Sequence, residues 1–144
     1  MPDALQVALD LLTRREHSAH ELTDKLTRRG FAEDDIISAL AECQRLGYQS
    51  DKRYTDSYCR MRIRQGDGPL KIEHFLRLKG VPEALIRERL DEEHWIDHAY
   101  RVWQKKFGSA RDTSSLAEKA KQQRFMQTRG FPIQLIYKLY KYES

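Results

Sequence analysis

The chain has 144 residues, one third of them charged, with 26 basic and 22 acidic groups and a formal net charge of +4. That length suits about one domain, and no apolar run approaches the roughly 20 residues of a membrane span. Two cysteines, Cys43 and Cys59, follow no metal or redox spacing, and the N-terminus lacks a basic-then-apolar leader, so a soluble, unexported, cytoplasmic protein is expected.

From Asp3 to about Arg15, the residues Ala4, Val7, Ala8, Leu11 and Leu12 recur at three- and four-residue spacing, which is one face of a first helix. Ser18 with Glu21 forms a capping box for a second helix that runs to Arg29 with Leu22 and Leu26 inward. Glu33 to Leu46 makes a third, with Ile36, Ile37, Leu40 and Cys43 on its buried side, and Gly47 ends it. Ser50 or Asp51 caps a fourth, which places Tyr54, Tyr58 and Met61 on one stripe and Arg53, Arg60 and Arg64 on its neighbour. Gln65 to Pro69 turns the chain into a fifth helix carrying Ile72, Phe75 and Leu76. A sixth spans Ala84 to Glu92, with Leu85, Ile86 and Leu90 apolar.

Trp95 and Ile96 open a seventh helix as core residues, and its Tyr100 and Phe107 match Tyr54 and Met61 at an offset of 46. The later helices return to an offset of 50, so four residues are inserted around Gly108 to Ser115, a stretch with the composition of a mobile connection. Lys119, Lys121, Arg124 and Arg129 sit beside Phe125 and Met126 on an eighth helix, and Ile133 to Tyr142 closes the chain. No stretch reads as a strand.

A hexad gives this series its order. Leu26-Thr27-Arg28-Arg29-Gly30-Phe31, Leu76-Arg77-Leu78-Lys79-Gly80-Val81 and Met126-Gln127-Thr128-Arg129-Gly130-Phe131 recur at a fixed period of fifty. Glycine just past a helix takes the left-handed conformation cheaply, and the apolar residue after it should touch the helical residue five positions earlier. The same period places Ile36, Ile86 and Ile136 in register, and Pro82 and Pro132 fit the first turn of the helix that follows. Arg29, Lys79 and Arg129 face the negative end of the helix dipole, worth about 0.3–1 kcal/mol each. The fold class is therefore all-α: three tandem three-helix repeats, about nine helices, in an elongated arrangement with boundaries at 1–49, 50–94 and 95–144.

Charge is distributed in blocks. Residues 1–50 carry 6 basic and 9 acidic groups, 51–80 carry 8 and 4, 81–100 carry 2 and 6, and 101–144 carry 10 and 3. Alternation of this kind suits a polyanion or a mixed-charge protein surface as partner, and equally a solvated exterior. His94 and His98 stand four apart with Asp97 between them, but no further ligands join them, so no metal site is assigned. Nucleophile elbow, phosphate loop and paired-glycine fingerprint are all missing, which leaves no catalytic residue and no enzyme. Binding remains, and the candidates are the cations Arg53, Arg60, Arg62, Arg64 and Lys71 on the second module, with Lys119, Lys121 and Arg124 on the third. Lys105 and Lys106 extend the latter strip.

Several pieces together resemble the RecX family of regulatory proteins, modulators of the bacterial RecA recombinase. They are Ser18-Ala19-His20-Glu21-Leu22 through Lys25-Leu26 to Arg29-Gly30-Phe31; Gly47-Tyr48 before Asp51; Gly68-Pro69 with Ile72 through Lys79-Gly80-Val81; and Arg124-Phe125-Met126 through Arg129-Gly130-Phe131. Gln49 departs from the pattern, which has an apolar residue after Gly-Tyr, and the first copy lacks the small residues found at Gly66 to Gly68. The resemblance implies a curved helical clamp in the groove of the RecA filament on single-stranded DNA. Such a clamp bridges successive subunits and suppresses ATPase and strand exchange, with a bearing on DNA repair, recombination and the SOS response. It further implies no cofactor, ATP belonging to the partner, single- or double-stranded DNA as a second partner, no membrane, and a monomer. The eight cations above are not family assignments. Two other classes explain parts of the sequence: a helical-repeat protein acting on naked DNA, and a generic helical scaffold for another protein.

Overall fold

The computed structural model describes residues 1–108 and 114–142. Among them are nine helices and no strand: α1 (Ala4–Arg14), α2 (Ala19–Arg28), α3 (Glu33–Arg45), α4 (Asp51–Arg64), α5 (Pro69–Leu78), α6 (Glu83–Asp91), α7 (Trp95–Phe107), α8 (Leu116–Thr128) and α9 (Ile133–Leu139). The all-α class and the succession of three-helix repeats are as the sequence reads. The inserted connection falls mostly on residues 109–113, outside the described residues.

All three hexads end helices in the expected way. Gly30, Gly80 and Gly130 have φ of 87°, 73° and 98°. The next amide in each case reaches back to the carbonyl five residues earlier, Phe31 to Leu26 at 3.3 Å, Val81 to Leu76 at 3.1 Å and Phe131 to Met126 at 3.2 Å. These bonds satisfy carbonyls that a helix end otherwise leaves without partners.

Two compact units result. The first comprises Met1–Tyr58 with Leu76–Arg89, where α1 and α2 pack on α3 around Val7, Ala8, Leu11, Leu22, Leu26, Ile36 and Cys43. Here the hydroxyl of Ser18 accepts from the Glu21 amide at 3.0 Å, completing the capping box, and donates to the carbonyl of Lys79 at 2.7 Å. His20, on the first turn of α2, lies so close to Gly80 that a Cβ there would sit 2.4 Å from the His20 Cβ.

The second unit comprises Cys59–Phe75 with Leu90–Ser144, and its core gathers Ala99, Trp103, Met126, Phe131, Ile136 and Leu139. Buried Gln122 accepts from the Trp103 indole at 2.8 Å and the Tyr140 hydroxyl at 3.3 Å. The contact made at Gly80 is repeated fifty residues on. Gly68 donates to the Arg129 carbonyl at 2.6 Å and Leu70 to the Gly130 carbonyl at 2.9 Å. Pro69 between them has no N–H to strand. A Cβ on Gly68 would meet the Gly130 carbonyl carbon at 2.6 Å, and one on Gly130 would meet the Lys71 Cβ at 2.5 Å. Gly30, in contrast, has nothing within 4 Å.

Two local expectations change, one stripe is repositioned and one open alternative is settled. Ile37 is 58% exposed, because α3 turns Ile36, Ala39 and Cys43 inward and Ile37 lies about 100° around from Ile36. Met61 is 37% exposed: α4 buries Tyr54, Thr55 and Cys59, so its inward stripe is centred one residue later than the tyrosine spacing suggests. Pro82 and Pro132 stand immediately before α6 and α9, not in their first turns, and Pro132 has extended ψ of 149° as the N-cap of α9. Of the two candidate caps for α4, Ser50 takes the role, its hydroxyl accepting from the Arg53 amide at 3.2 Å. Asp51 instead accepts from the Ala19 amide at 2.8 Å and so caps α2. Gln49 is buried against the same start, donating to the His17 carbonyl at 3.2 Å and to Asp51 at 3.1 Å.

The glycines separate two costs that urea denaturation can resolve. Gly30→Ala loses only the left-handed conformation, about 1–2 kcal/mol. Gly80→Ala and Gly130→Ala lose that and also overpack, adding about 1–3 kcal/mol. Gly68→Ala, at a position without positive φ, is destabilised by the overpacking alone. Equal losses at positions 30 and 130 would refute the close-approach role.

Acid should weaken the first unit in two steps. Burial lowers the pKa of His17, with Arg15 and Lys25 adding to the effect against a hydrogen bond to the Arg15 carbonyl. Lys25 has only protons to give, so its contact with His17 Nε2 at 2.8 Å requires a neutral ring whose Nδ1 donates to Arg15. For Glu21, burial pushes upward, but hydrogen bonds from Arg15 and the Ser18 amide outweigh it and hold the carboxyl below its usual range. Both groups protonate first in the unfolded chain. Thermal melts followed by circular dichroism should therefore show stability falling below about pH 6.5 and again below about pH 4.3. His17→Gln removes the upper step and Glu21→Gln diminishes the lower one.

Candidate functional site

The eight candidate cations separate by what holds them. Arg53, in the first unit, donates to Glu16 at 3.0 Å. The rest lie in the second unit. Arg62 is not a surface cation: its side chain is 19% exposed, its Nε lies 2.7 Å from Asp67, and its guanidinium covers the Phe75 ring at 4.8 Å. Lys71 approaches the other oxygen of Asp67 at 3.2 Å. Asp67 is thus a buried anion between two cations, fixing the turn that leads to Gly68. Lys119 stands 5.6 Å over the Tyr140 ring, and Arg60, Arg64, Lys121 and Arg124 are exposed.

The structure gathers a different set around Arg64. A cleft of about 680 Å³, wholly within the second unit, is lined by Ile63, Arg64, Gln65 and Gly66 at the end of α4, by His98, Arg101, Val102, Lys105 and Lys106 on α7, and by Phe125 of α8 with Arg129 at its C-terminal cap. His98, Arg101, Val102 and Lys105 follow i, i+3, i+4, i+7 spacing, which is one helical face. No carboxylate lines this cleft. Its cations are placed by other means. Arg129 donates to the Gln65 carbonyl at 3.2 Å and lies 5.2 Å over the Phe125 ring, while Lys106 is 5.2 Å from the centroid of that ring. Arg101 hydrogen-bonds His98 Nδ1. Ring faces and carbonyls hold a cation without cancelling its charge.

Sequence reasoning named Arg64, Lys105 and Lys106 but missed Arg101, and it read Arg129 only as a cap. The spacing of residues 98, 101, 102 and 105 was the available signal. Arg129 does serve a helix end, that of α4 as well as its own.

The paired histidines are engaged separately. His94 Nδ1 contacts Asp97 at 2.6 Å and His98 Nε2 contacts Glu93 at 2.7 Å. Among the described residues no three His, Cys, Asp or Glu side chains are placed to hold a metal. Cys43 and Cys59 are free and buried, and burial raises the Cys43 thiol above its usual pKa. Among the described residues no helix is long and apolar enough to cross a membrane.

Comparison with known proteins matches three family models in chain order. They are the first three-helix domain of RecX over residues 4–43, the second over 50–90 and the third over 92–139. Regulatory protein RecX of Legionella pneumophila (strain Corby) is 50% identical over 143 residues, covering 98% of this chain and 95% of the relative. Regulatory protein RecX of Acinetobacter baylyi is 37% identical over 132 residues, covering 92% and 82%. The crystal structure of RecX from Lactobacillus salivarius superposes with a TM-score of 0.85 at 22% identity, covering 96% of this chain and 92% of that one. A further crystal structure of regulatory protein RecX gives 0.79 at 26% identity, covering 97% and 70%. Matched from end to end by three RecX domains in order and by relatives of up to half-identical sequence, the chain belongs to the RecX family of regulatory proteins.

Proposed function

We propose that this protein binds the RecA filament on DNA and negatively modulates its ATPase, its recombinase activity and the SOS-related functions that depend on it. The observation that carries this reading is the in-order match of all three RecX domains across residues 4–139. The chain acts by binding, in the cytoplasm, as a monomer built of repeats 1–49, 50–94 and 95–144, and any ATP turned over is the partner's.

The surface chemistry suits such a role. Exposed guanidinium and ammonium groups at Arg60, Lys121 and Arg124 reach carboxylates or phosphates without a preformed pocket. Arg62 and Lys71 serve Asp67 instead and contribute to the fold before they contribute to a partner.

The deciding measurement is the single-stranded-DNA-dependent ATPase of RecA from the same organism, titrated with this protein at fixed salt. A substoichiometric fall in rate is expected. Charge reversal of Arg60, Lys121 and Arg124 together should raise the half-inhibiting concentration about tenfold, the equivalent of about 1.4 kcal/mol. No fall in rate with folded protein overturns the proposal. Tight binding to naked DNA would then favour a direct DNA-binding protein, and neither interaction a scaffold for some other protein.

A further inference from the structure

We propose that the α4–α7–α8 cleft of the second unit is a binding site for a single-stranded nucleic acid, its phosphates held by Arg64, Arg101, Lys105, Lys106 and Arg129. This rests on the regulatory reading for its setting, a filament that carries such a strand.

The first argument is charge. Five cations line one concavity, no carboxylate shares it, and none of the five makes an ion pair with any described residue. Four arginines outside the cleft are instead paired: Arg15 with Glu21, Arg53 with Glu16, Arg77 with Glu83 and Arg89 with Asp56, at 2.6–3.0 Å. Like charges collected in a cleft with low-dielectric walls focus the potential and draw in anions.

The second argument is placement. The Phe125 ring and the Gln65 carbonyl fix Lys106 and Arg129 while leaving them charged. Three of the five are guanidiniums, whose planar forks match phosphate oxygens.

The third argument is lining. Ile63 and Val102 supply apolar wall beside the cations, against which a base can lie, a surface that carboxylates alone would leave unused. Groups that grip phosphate beside apolar surface that accepts any base describe a site indifferent to sequence.

The test is fluorescence anisotropy of a labelled 20-nucleotide oligo-dT with the full chain alone, across a salt series. Binding should weaken with salt, with a log–log slope of about −0.7 for each phosphate contact. Arg64→Glu with Lys105→Glu should lower affinity at least about tenfold and flatten the slope by about 1.4. The milder Arg64→Gln with Lys105→Gln should flatten it equally, and both variants should retain wild-type helicity and melting. Arg14→Glu with Arg28→Glu, outside the cleft, should bind as wild type does. Unchanged binding by either cleft variant overturns the inference. So does displacement of the oligonucleotide by poly-glutamate at equal charge concentration, which would make the cleft an acidic-peptide site. If the wild-type chain fails to bind the oligonucleotide while it still inhibits RecA, the cleft assignment falls and the regulatory reading stands. The converse result separates them the other way.

Discussion

The structure depends on two helix starts being laid directly on two helix ends. A helix start leaves amides without partners and carries partial positive charge; a helix end leaves carbonyls without partners and carries partial negative charge. In the second unit these needs answer one another, Gly68 and Leu70 giving their N–H groups to Arg129 and Gly130. In the first unit the Ser18 hydroxyl makes the bond to Lys79, which leaves the amides of α2 to be satisfied by Ser18, Glu21 and Asp51. Either version brings backbone too close for a Cβ, so glycine at positions 80 and 130 is required twice over, by its own φ and by its neighbour.

Only the first of those requirements can be read along the chain. Sequence shows a helix-ending glycine in three similar settings, and all three fold as helix ends. That Gly80 and Gly130 also receive another helix while Gly30 stays open depends on which surfaces meet, and no local pattern encodes that. Nor do the large residues of α4 mark its buried face. Tyr54, Tyr58 and Met61 are the large residues, yet the inward line is set by Thr55 and Cys59, whose small side chains permit closer packing. Gln49, a departure from the family pattern, becomes intelligible once its amide is seen between the His17 carbonyl and Asp51, a polar substitute that ties two backbone segments to one carboxylate.

The candidate site was legible to the same depth. Helical spacing correctly sets Arg60, Arg64, Lys121 and Arg124 on exposed faces. It has no means of showing that Arg62 and Lys71 both belong to Asp67, since only the fold brings a turn carboxylate between them. Nor does spacing on one helix reveal a concavity assembled from three. Arg129 illustrates the limit: within its hexad it is a capping residue, and in the folded unit the same guanidinium reaches the end of α4 and the face of Phe125.

Cations in this protein are thus used in two ways. Where stability needs them, each meets a carboxylate, as Arg15 does at buried Glu21 and Arg62 at buried Asp67. Around the cleft they are held by rings and carbonyls instead. Beneath the same helices, the second unit is held by Trp103 and Tyr140, both bonded to Gln122 and packed edge to face at 5.1 Å. Cations on the outside of α7 and α8, over a satisfied polar and aromatic core inside them, let the same helices hold their shape and present charge to solvent.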